Sequence, residues 1–255
     1  MSLLRVGLIQ MCSGRDPARN LADVLAMIAE AAAAGAAFVA TPEMTNVMDE
    51  DATRLLAKLR TEDEDETVAA FSALASRLNL HLLAGSLALR EGTKLVNRSL
   101  LFAPDGRIVA RYDKIHLFDV ALGGGETYRE SDRFHGGARA VVADAGAAKL
   151  GLTICYDVRF PALHRALAMA GADVLMVPAA FTKITGAAHW HVLLRARAIE
   201  TGCFVLAPAQ SGTHETGRET YGHTLVINPW GEVIAERVQG VGVLMADLDL
   251  AQVQA

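Results

Sequence analysis

The chain has 255 residues, and its 24 lysines and arginines against 29 aspartates and glutamates give a net charge of −5 at pH 7. This acidic balance argues against the basic surfaces that bind nucleic acids or anionic membranes. Hydrophobic residues make up 52% of the sequence, enough for a sizeable core. No apolar stretch reaches the roughly 20 residues that a membrane helix needs. We therefore expect a folded protein with neither a nucleic acid nor a membrane as partner.

The predicted elements begin with a strand near 4–10, a helix from Asp16-Pro17 to Gly35 and a second strand at 38–40, which together form a βαβ unit. The acidic run at 61–66 predicts the solvated first turn of a helix that ends near 79. Strands are then expected near 80–87, 96–103 and 107–112, followed by an irregular glycine-rich stretch at 121–137. Helices near 161–170 and 187–201 alternate with strands near 140–144, 149–154, 173–177, 203–209, 222–228, 232–236 and 241–247. This order predicts a layered α/β fold.

The cysteines Cys12, Cys155 and Cys203 are widely spaced and form no CxxC pair, which argues against a disulfide framework and a zinc knuckle. Because the first residues have the pattern of a strand and not of a signal peptide, we expect a cytoplasmic location. In a reducing compartment each cysteine is either a buried apolar residue or a reactive thiol. The absence of repeats and long linkers predicts a single domain over residues 1–255.

Cys155 follows an apolar run at 149–154 and precedes Pro161, which is typical of a first helical turn. A cysteine between a strand and a helix lies at a turn that can expose its sulfur and favour the thiolate through nearby backbone N–H groups. The alternative is a buried packing residue. Cys12 and Cys203 lack such a turn, and we interpret both as packing residues.

Two further side chains have positions suited to chemistry. Glu43 follows the strand at 38–40 behind Pro42, in the crevice beyond the strand end; the alternative is an exposed loop glutamate. Lys114 lies in a run whose alternation places it on one strand face with Tyr112 and His116. Such a stripe is usually a solvated sheet face.

Three segments together resemble a known family. The sequences Thr-Pro-Glu-Met at 41–44, Tyr-Asp-Lys-Ile-His-Leu-Phe at 112–118 and Ile-Cys-Tyr-Asp-Val-Arg-Phe-Pro at 154–161 are similar to the glutamate, lysine and cysteine motifs of the nitrilase (carbon–nitrogen hydrolase) superfamily. The resemblance covers essentially the whole chain and continues through 185–190, 195–200, 221–224 and 228–231. It implies a four-layer αββα sandwich, no metal and no organic cofactor, and association as a dimer or higher homo-oligomer through helices on one face.

By this resemblance, Cys155 attacks the carbon of a small-molecule amide, and Glu43 passes the thiol proton to the departing amine. Lys114 and the backbone N–H of Tyr156 hold the oxyanion, and ammonia leaves. Water activated by Glu43 then hydrolyses the thioester. Each role meets a chemical need, because a neutral thiol is a poor nucleophile and an unprotonated amine a poor leaving group.

The family also places a second glutamate in the site, for which Glu130 and Glu126 are the candidates. We prefer Glu130 because Ser131 follows it, although the run of glycines at 123–125 departs from the family pattern. Two other departures are Ala162 and His191, where the family usually has glutamates. They bear on a helix start and on a subunit contact.

Arg159 is a candidate clamp for a substrate carboxylate, because a guanidinium binds a carboxylate in bidentate fashion. Its alternative is a structural salt bridge. In similar amidases the positions of Phe181 and Thr185 line the pocket beside this arginine. The stretches at 209–215 and 221–223 look more like the deaminated-glutathione amidase branch than the ω-amidase branch.

We therefore expect a cysteine-dependent amidase that converts a small carboxylate-bearing amide to acid and ammonia. The alternatives are an ω-amidase acting on 2-oxoglutaramate or 2-oxosuccinamate, and an N-carbamoyl hydrolase, which usually has two adjacent arginines where this chain has only Arg159. A non-enzymatic interaction protein would require decay of the three motifs. A metal hydrolase is disfavoured because His189 and His191 point to different sides of a helix and HExxH is absent.

Overall fold

The computed structural model describes residues 3–121 and 127–253. Its α-helices are α1 (Pro17–Ala33), α2 (Ala52–Lys58), α3 (Glu66–Leu78), α4 (Pro161–Met169) and α5 (Lys183–Thr201). Its strands are β1 (Leu3–Gln10), β2 (Phe38–Ala40), β3 (His81–Glu91), β4 (Lys94–Phe102), β5 (Ile108–Asp113), β6 (Asp119–Ala121), β7 (Thr127–Arg129), β8 (Phe134–His135), β9 (Val141–Asp144), β10 (Lys149–Leu152), β11 (Val174–Met176), β12 (Phe204–Ala207), β13 (Ser211–Thr213), β14 (Glu219–Tyr221), β15 (Thr224–Ile227), β16 (Val233–Arg237) and β17 (Gly242–Asp249). Within these ranges, no helix is long and apolar enough to cross a membrane.

Two mixed sheets form the centre of the fold. The first has the strand order β17-β1-β2-β3-β4-β5, with β8 also paired to β4, and the second has the order β16-β15-β12-β11-β10-β9. The parallel pairs β1–β2–β3 and β10–β11–β12 carry the crossover helices, and antiparallel strands complete both edges. Both candidate residues at strand ends, Glu43 after β2 and Cys155 after β10, therefore follow central parallel strands.

The strand β1 shows how the layers arise. Leu4, Val6 and Leu8 point into the core between the two sheets, whereas Ile9 packs with α1 and α3 on the outer face. This alternation follows from the two-residue period of a strand. Helices α4 and α5 cover the outer face of the second sheet. The predicted four-layer αββα sandwich is confirmed.

Several predicted boundaries differ from the structure. Helix α5 begins one turn earlier than expected, because the Thr182 side chain accepts a hydrogen bond from Thr185 N and caps it. Helix α2 was not predicted; Asp51 caps it by accepting from Arg54 N at 2.8 Å. The stretch expected to be irregular contains β7, which pairs antiparallel with β6, and β8, whereas the glycines at 123–125 lie outside the described residues.

The acidic run at 61–66 is a solvated first helical turn only in part, because Glu66 is exposed in the first turn of α3 but the residues before it lie outside that helix. Glu62–Glu64 form a separate 3₁₀ turn, and the buried Asp65 caps α3. Glu62 lies under the edge of the first sheet and forms ion pairs of 3.1 Å with Arg98 and 2.7 Å with Arg111. For Glu62 the prediction was wrong, because these arginines come from distant strands, which local composition does not reveal.

Candidate active site

Cys155 lies at the predicted turn between a strand and a helix. β10 ends at Leu152, and Cys155 opens a 3₁₀ turn over Cys155–Arg159 that leads into α4. Its φ is +48°, a strained value for a residue with a side chain, and its N–H donates to Pro178 O at 2.9 Å. The expectation of an exposed sulfur is wrong, because Cys155 is buried, with only 6% of its surface exposed.

Asp157 holds this turn from within and was not predicted from the sequence. Its carboxylate is fully buried and accepts from Ile154 N at 2.9 Å and from Tyr112 Oη at 2.7 Å. It also accepts from His116 N at 3.0 Å and lies 2.7 Å from His116 Nδ1. These contacts join the cysteine turn to the segment that carries Lys114. An acid two residues after a predicted turn cysteine was the available signal.

Glu43, Lys114 and Glu130 form one hydrogen-bonded group beside Cys155. Lys114 Nζ lies 2.8 Å from Glu43 Oε1 and 2.9 Å from Glu130 Oε2. Asn97 Nδ2 donates to both carboxylates, at 3.0 Å and 3.1 Å. Asn97 was not predicted either, although a polar residue inside the otherwise apolar β4 was a visible signal. The remaining Glu43 oxygen accepts from Ala180 N at 2.8 Å.

The structure does not show a solvated sheet face around Lys114, which was the alternative interpretation of this stripe. β5 ends at Asp113, and Lys114 continues beyond it with its N–H bonded to Asn97 O and its carbonyl accepting from Gly137 N. Tyr112 and Lys114 are both buried. Burial of the ammonium requires charge partners, and the two glutamates supply them.

The charges in this group fix the protonation states. Burial opposes ionisation of Glu43, but the charge and hydrogen bond of Lys114 outweigh it and hold the pKa of Glu43 below its usual value. Burial likewise opposes the ammonium form, but Glu130 and Glu43 raise the pKa of Lys114 well above that of a free lysine. Burial and then the charge of Glu43 raise the pKa of the Cys155 thiol well above its usual value. The expectation that the turn favours a thiolate is therefore wrong for the resting site.

A cavity of about 270 Å³ opens onto these groups. Its wall includes Cys155, Glu43, Lys114 and Glu130, together with Tyr156, Phe181 and Thr185 from the predicted substrate residues. The volume lies near the lower end of the range of small-molecule sites. A pocket that holds a thiol, a carboxylate and an ammonium group can support acyl transfer.

Two arginines lie close to this cavity in different ways. Among the described residues, those that line the cavity do not include Arg159. Its guanidinium lies 5.3 Å from the ring centroid of Phe181 and 5.7 Å from that of Tyr156. Its Nη2 is 3.3 Å from His189 Nδ1. Arg218, which the sequence did not single out, does line the cavity. Its position in a turn before β14 gave no local signal.

The other glutamate candidate and the family departures can also be placed. Glu126 lies outside the described residues, whereas Glu130 Oε2 accepts from Phe118 N at 2.7 Å as well as from Lys114. Ala162 is exposed in the first turn of α4, which Pro161 starts without a glutamate.

His191 belongs to a cluster that the sequence did not reveal. Its Nε2 lies 3.0 Å from Glu236 Oε1, which also contacts His223 Nδ1, and the ligand atoms of the three residues lie within 4.8 Å of one another. In the described part of the chain, His191, His223 and Glu236 are the group whose ligand atoms lie close enough together to bind one metal ion. It is separate from the cavity, and His189 points instead to Arg159.

The remaining cysteines differ from each other. Cys203 is buried, as expected of a packing residue, and its Sγ lies 3.1 Å from Ala172 O. Cys12 is only half-buried, with Sγ 3.7 Å from His214 Nδ1. Burial raises the pKa of both thiols. Neither has the charged partners that surround Cys155.

The sequence and the fold of the chain are similar to those of known proteins. The carbon–nitrogen hydrolase family pattern matches residues 5–255. Deaminated glutathione amidase of Yersinia enterocolitica is 39% identical over 253 residues, which cover 98% of this chain and 88% of that protein. The structure of the C. elegans NitFhit protein superposes with a TM-score of 0.91 at 34% identity over 99% of this chain, which spans 62% of that protein's length. An amidase from Nesterenkonia sp., solved with acrylamide added at its active-site cysteine, gives 0.85 at 27% identity over 98% of this chain and 95% of its own. The chain belongs to the carbon–nitrogen hydrolase family, within the nitrilase superfamily.

Proposed function

We propose that Cys155 is the nucleophile of an amidase reaction in this cavity. The observation that carries the proposal is the convergence of Cys155, Glu43 and Lys114 on one cavity, with Lys114 Nζ 2.8 Å from Glu43 Oε1. The fold and the relatives are those of hydrolases that act on carbon–nitrogen bonds in amides. No organic or metal cofactor enters the proposed steps.

In the first step, the Cys155 sulfur forms a bond to the amide carbon while its proton moves to Glu43. The resting site opposes this transfer, because the thiol pKa is raised and the Glu43 pKa is lowered. As the tetrahedral intermediate forms, its oxyanion attracts Lys114 and the N–H of Tyr156. Lys114 then shares its charge with the oxyanion, so Glu43 becomes more basic as attack proceeds.

In the second step, the oxyanion collapses and the carbon–nitrogen bond breaks. Glu43 gives its proton to the departing amine, and the acyl group remains on Cys155 as a thioester. Water then loses a proton to Glu43 and attacks the thioester carbon, which releases the acid and returns the proton to sulfur. In both acylation and thioester hydrolysis, Glu43 accepts one proton and then gives it up.

Glu130 is proposed as the positioning residue for Lys114. It accepts from Lys114 Nζ at 2.9 Å and is itself held by Phe118 N and Asn97 Nδ2. With one carboxylate on each side, the ammonium is fixed towards Cys155, and its pKa stays high enough for it to remain charged during turnover. Thr185 and Phe181 are proposed to shape the wall against which the substrate packs.

The proposed substrate is a small amide that bears a carboxylate and resembles deaminated glutathione, the compound named for the bacterial relative. Arg159, above the rings of Tyr156 and Phe181, is proposed to bind its carboxylate. Deaminated glutathione has only N-substituted amide bonds, so its hydrolysis releases an amine fragment. Ammonia is the product only for primary amides such as 2-oxoglutaramate, the ω-amidase alternative.

Release of amine or ammonia tests the proposal. Wild type, Cys155→Ala and the control Cys203→Ala are compared on deaminated glutathione, 2-oxoglutaramate and an N-carbamoyl amino acid. We expect activity in wild type and in the control, loss of at least about 10³-fold in Cys155→Ala, and the highest kcat/KM for deaminated glutathione. Undiminished turnover by Cys155→Ala would refute the mechanism. Equal turnover of the three compounds would refute the substrate class.

We further propose a single carbon–nitrogen hydrolase domain over residues 1–255, because the family match spans 5–255 and both sheets contribute to the cavity. A homo-oligomer, dimeric or larger, is proposed from the outer face of α5, where Ile184, Val192 and Ile199 are each more than half exposed. A cytoplasmic location is proposed because a reduced Cys155 is needed for activity. Analytical sedimentation tests the proposed oligomer, and cell fractionation tests the proposed location.

A further inference from the structure

Arg218 is a cation in the wall of the cavity that the proposed mechanism does not use. It lies immediately before β14, half-buried, in the wall that also contains Cys155 and Glu43. Its backbone carbonyl accepts from His214 N at 2.9 Å, which fixes the turn that presents it. The side chain is held in the same cavity wall as the reacting groups by its own hydrogen bond to Ala180 O.

The guanidinium of Arg218 has unused hydrogen-bonding capacity. Of its five N–H donors, one at Nη2 reaches Ala180 O at 2.7 Å, and the buried Nε has no acceptor. Its Cζ lies 5.4 Å from the ring centroid of Tyr128. Within residues 3–121 and 127–253, no carboxylate forms an ion pair with it. Among the described residues Nη1 has no acceptor either, so an anionic ligand in the cavity can bind the Nη1 donors, whereas the buried Nε is out of a ligand's reach.

The neighbours of Arg218 indicate which end of a substrate it meets. Ala180, whose carbonyl it binds, donates its N–H to Glu43 Oε2. Glu43 delivers the proton to the departing amine in the proposed mechanism, so Arg218 lies on the amine side of the scissile bond. Arg159 belongs to the turn that begins with Cys155, on which the acyl group is held.

We propose that Arg218 binds a carboxylate on the amine portion of the substrate, in addition to the acyl-side carboxylate assigned to Arg159. This inference rests on the proposed function and narrows it. The substrate class becomes an amide with one carboxylate on each side of the bond that breaks. Deaminated glutathione has this pattern, with a glycine carboxylate at its amine end. 2-Oxoglutaramate has a single carboxylate on the acyl side, so Arg218 separates the two alternatives.

The test measures kcat/KM for wild type, Arg218→Gln and a charge-matched control. Arg107→Gln is the control, because Arg107 lies on an exposed turn paired with Asp105. The substrates are deaminated glutathione, the same compound with its glycine carboxylate converted to a carboxamide, and 2-oxoglutaramate. We expect Arg218→Gln to lower kcat/KM for deaminated glutathione roughly 10- to 100-fold and to change the rates of the other two less than about 2-fold. Arg107→Gln should leave all three rates unchanged.

Two results would overturn this inference. One is an equal loss on all three substrates, which would mean that Arg218 acts only through Ala180 and Glu43. The other is full activity of Arg218→Gln on deaminated glutathione. Arg218→Lys, which retains the charge but not the forked donors, should fall between wild type and Arg218→Gln. Failure of the amidase proposal itself would appear separately, as no turnover of any amide by wild type.

Discussion

Replacement of Asp157 by asparagine tests whether one buried carboxylate holds the cysteine turn. The carboxylate has no exposed surface and meets donors from Tyr112, His116 and Ile154 at 2.7 to 3.0 Å. An amide has one acceptor oxygen, so in either orientation its NH₂ group faces a backbone N–H. The Tyr112 hydroxyl can rotate to accept, whereas the backbone N–H of Ile154 or His116 cannot.

The expected loss follows from these contacts. An unpaired buried donor costs about 1–3 kcal/mol, and loss of the charge weakens the remaining hydrogen bonds. Together they predict that Asp157→Asn lowers the free energy of unfolding by about 3–5 kcal/mol. Because the turn sets the position of Cys155, kcat should fall at least about 10²-fold.

Urea unfolding and steady-state kinetics measure the two effects, with Tyr112→Phe as the matched control. That variant removes one donor and leaves Asp157 its charge and its other contacts, so we expect a loss of about 1–2 kcal/mol. Asp157→Asn must therefore be the less stable of the two. A loss below 1 kcal/mol for Asp157→Asn, or a larger loss for Tyr112→Phe, would refute this account of the turn.

Three further predictions concern the core and the buried charges. Burial lowers the pKa of His164 to about 4. Because the unfolded chain takes up this proton near pH 6.5, the free energy of unfolding should fall by about 2 kcal/mol between pH 7 and pH 5. His164→Phe should flatten that slope in urea titrations, and an unchanged slope would contradict the assignment. A Cβ on Gly85 would lie 1.8 Å from Thr41 O, whereas a Cβ on Gly92 would meet open space and only the strain of φ +60°. Gly85→Ala should therefore lower the melting temperature far more than the control Gly92→Ala. Equal shifts in melting temperature would be evidence against the close approach of Gly85 to Thr41. Lys114→Met leaves the buried Glu43 and the partly buried Glu130 without their cation and should cost about 3–5 kcal/mol at pH 7. This penalty should shrink at pH 5 as the carboxylates take up protons, and a constant penalty would mean that the ion pairs do not stabilise the fold.

The sequence predicted those parts of the site that depend on local order. Glu43 and Cys155 each follow a short apolar strand, and the sequence placed each of them at the carboxyl end of that strand. The two strands, β2 and β10, belong to different sheets. The alternation of strands and amphipathic helices predicted a layered α/β fold, and the family resemblance implied the four αββα layers. These features need no knowledge of which distant residues meet.

The residues that sequence reasoning missed depend on contacts between distant segments. Asn97 joins two carboxylates from the middle of a strand, and Asp157 is defined by donors from a segment that lies some 40 positions earlier in the chain. Arg218 reaches the cavity only because the β13–β14 hairpin folds over Ala180. Their residue types are ordinary at these positions, so the tertiary structure is needed to identify them.

The buried environment of Cys155 also reversed an expectation about its chemistry. Local reasoning placed backbone N–H groups near the sulfur and predicted a favoured thiolate. Burial and the neighbouring Glu43 carboxylate instead raise the thiol pKa. Activation therefore depends on proton transfer to Glu43 during attack.

Partitioning of the acyl group to hydroxylamine tests the central claim, a thioester on Cys155, most directly. Two amides that share an acyl group but differ in their amines are hydrolysed in the presence of hydroxylamine, and the ratio of hydroxamate to acid is measured. A common acyl-enzyme predicts the same ratio for both amides and no hydroxamate with Cys155→Ala. Ratios that change with the departing amine, or hydroxamate formed without Cys155, would contradict the covalent mechanism.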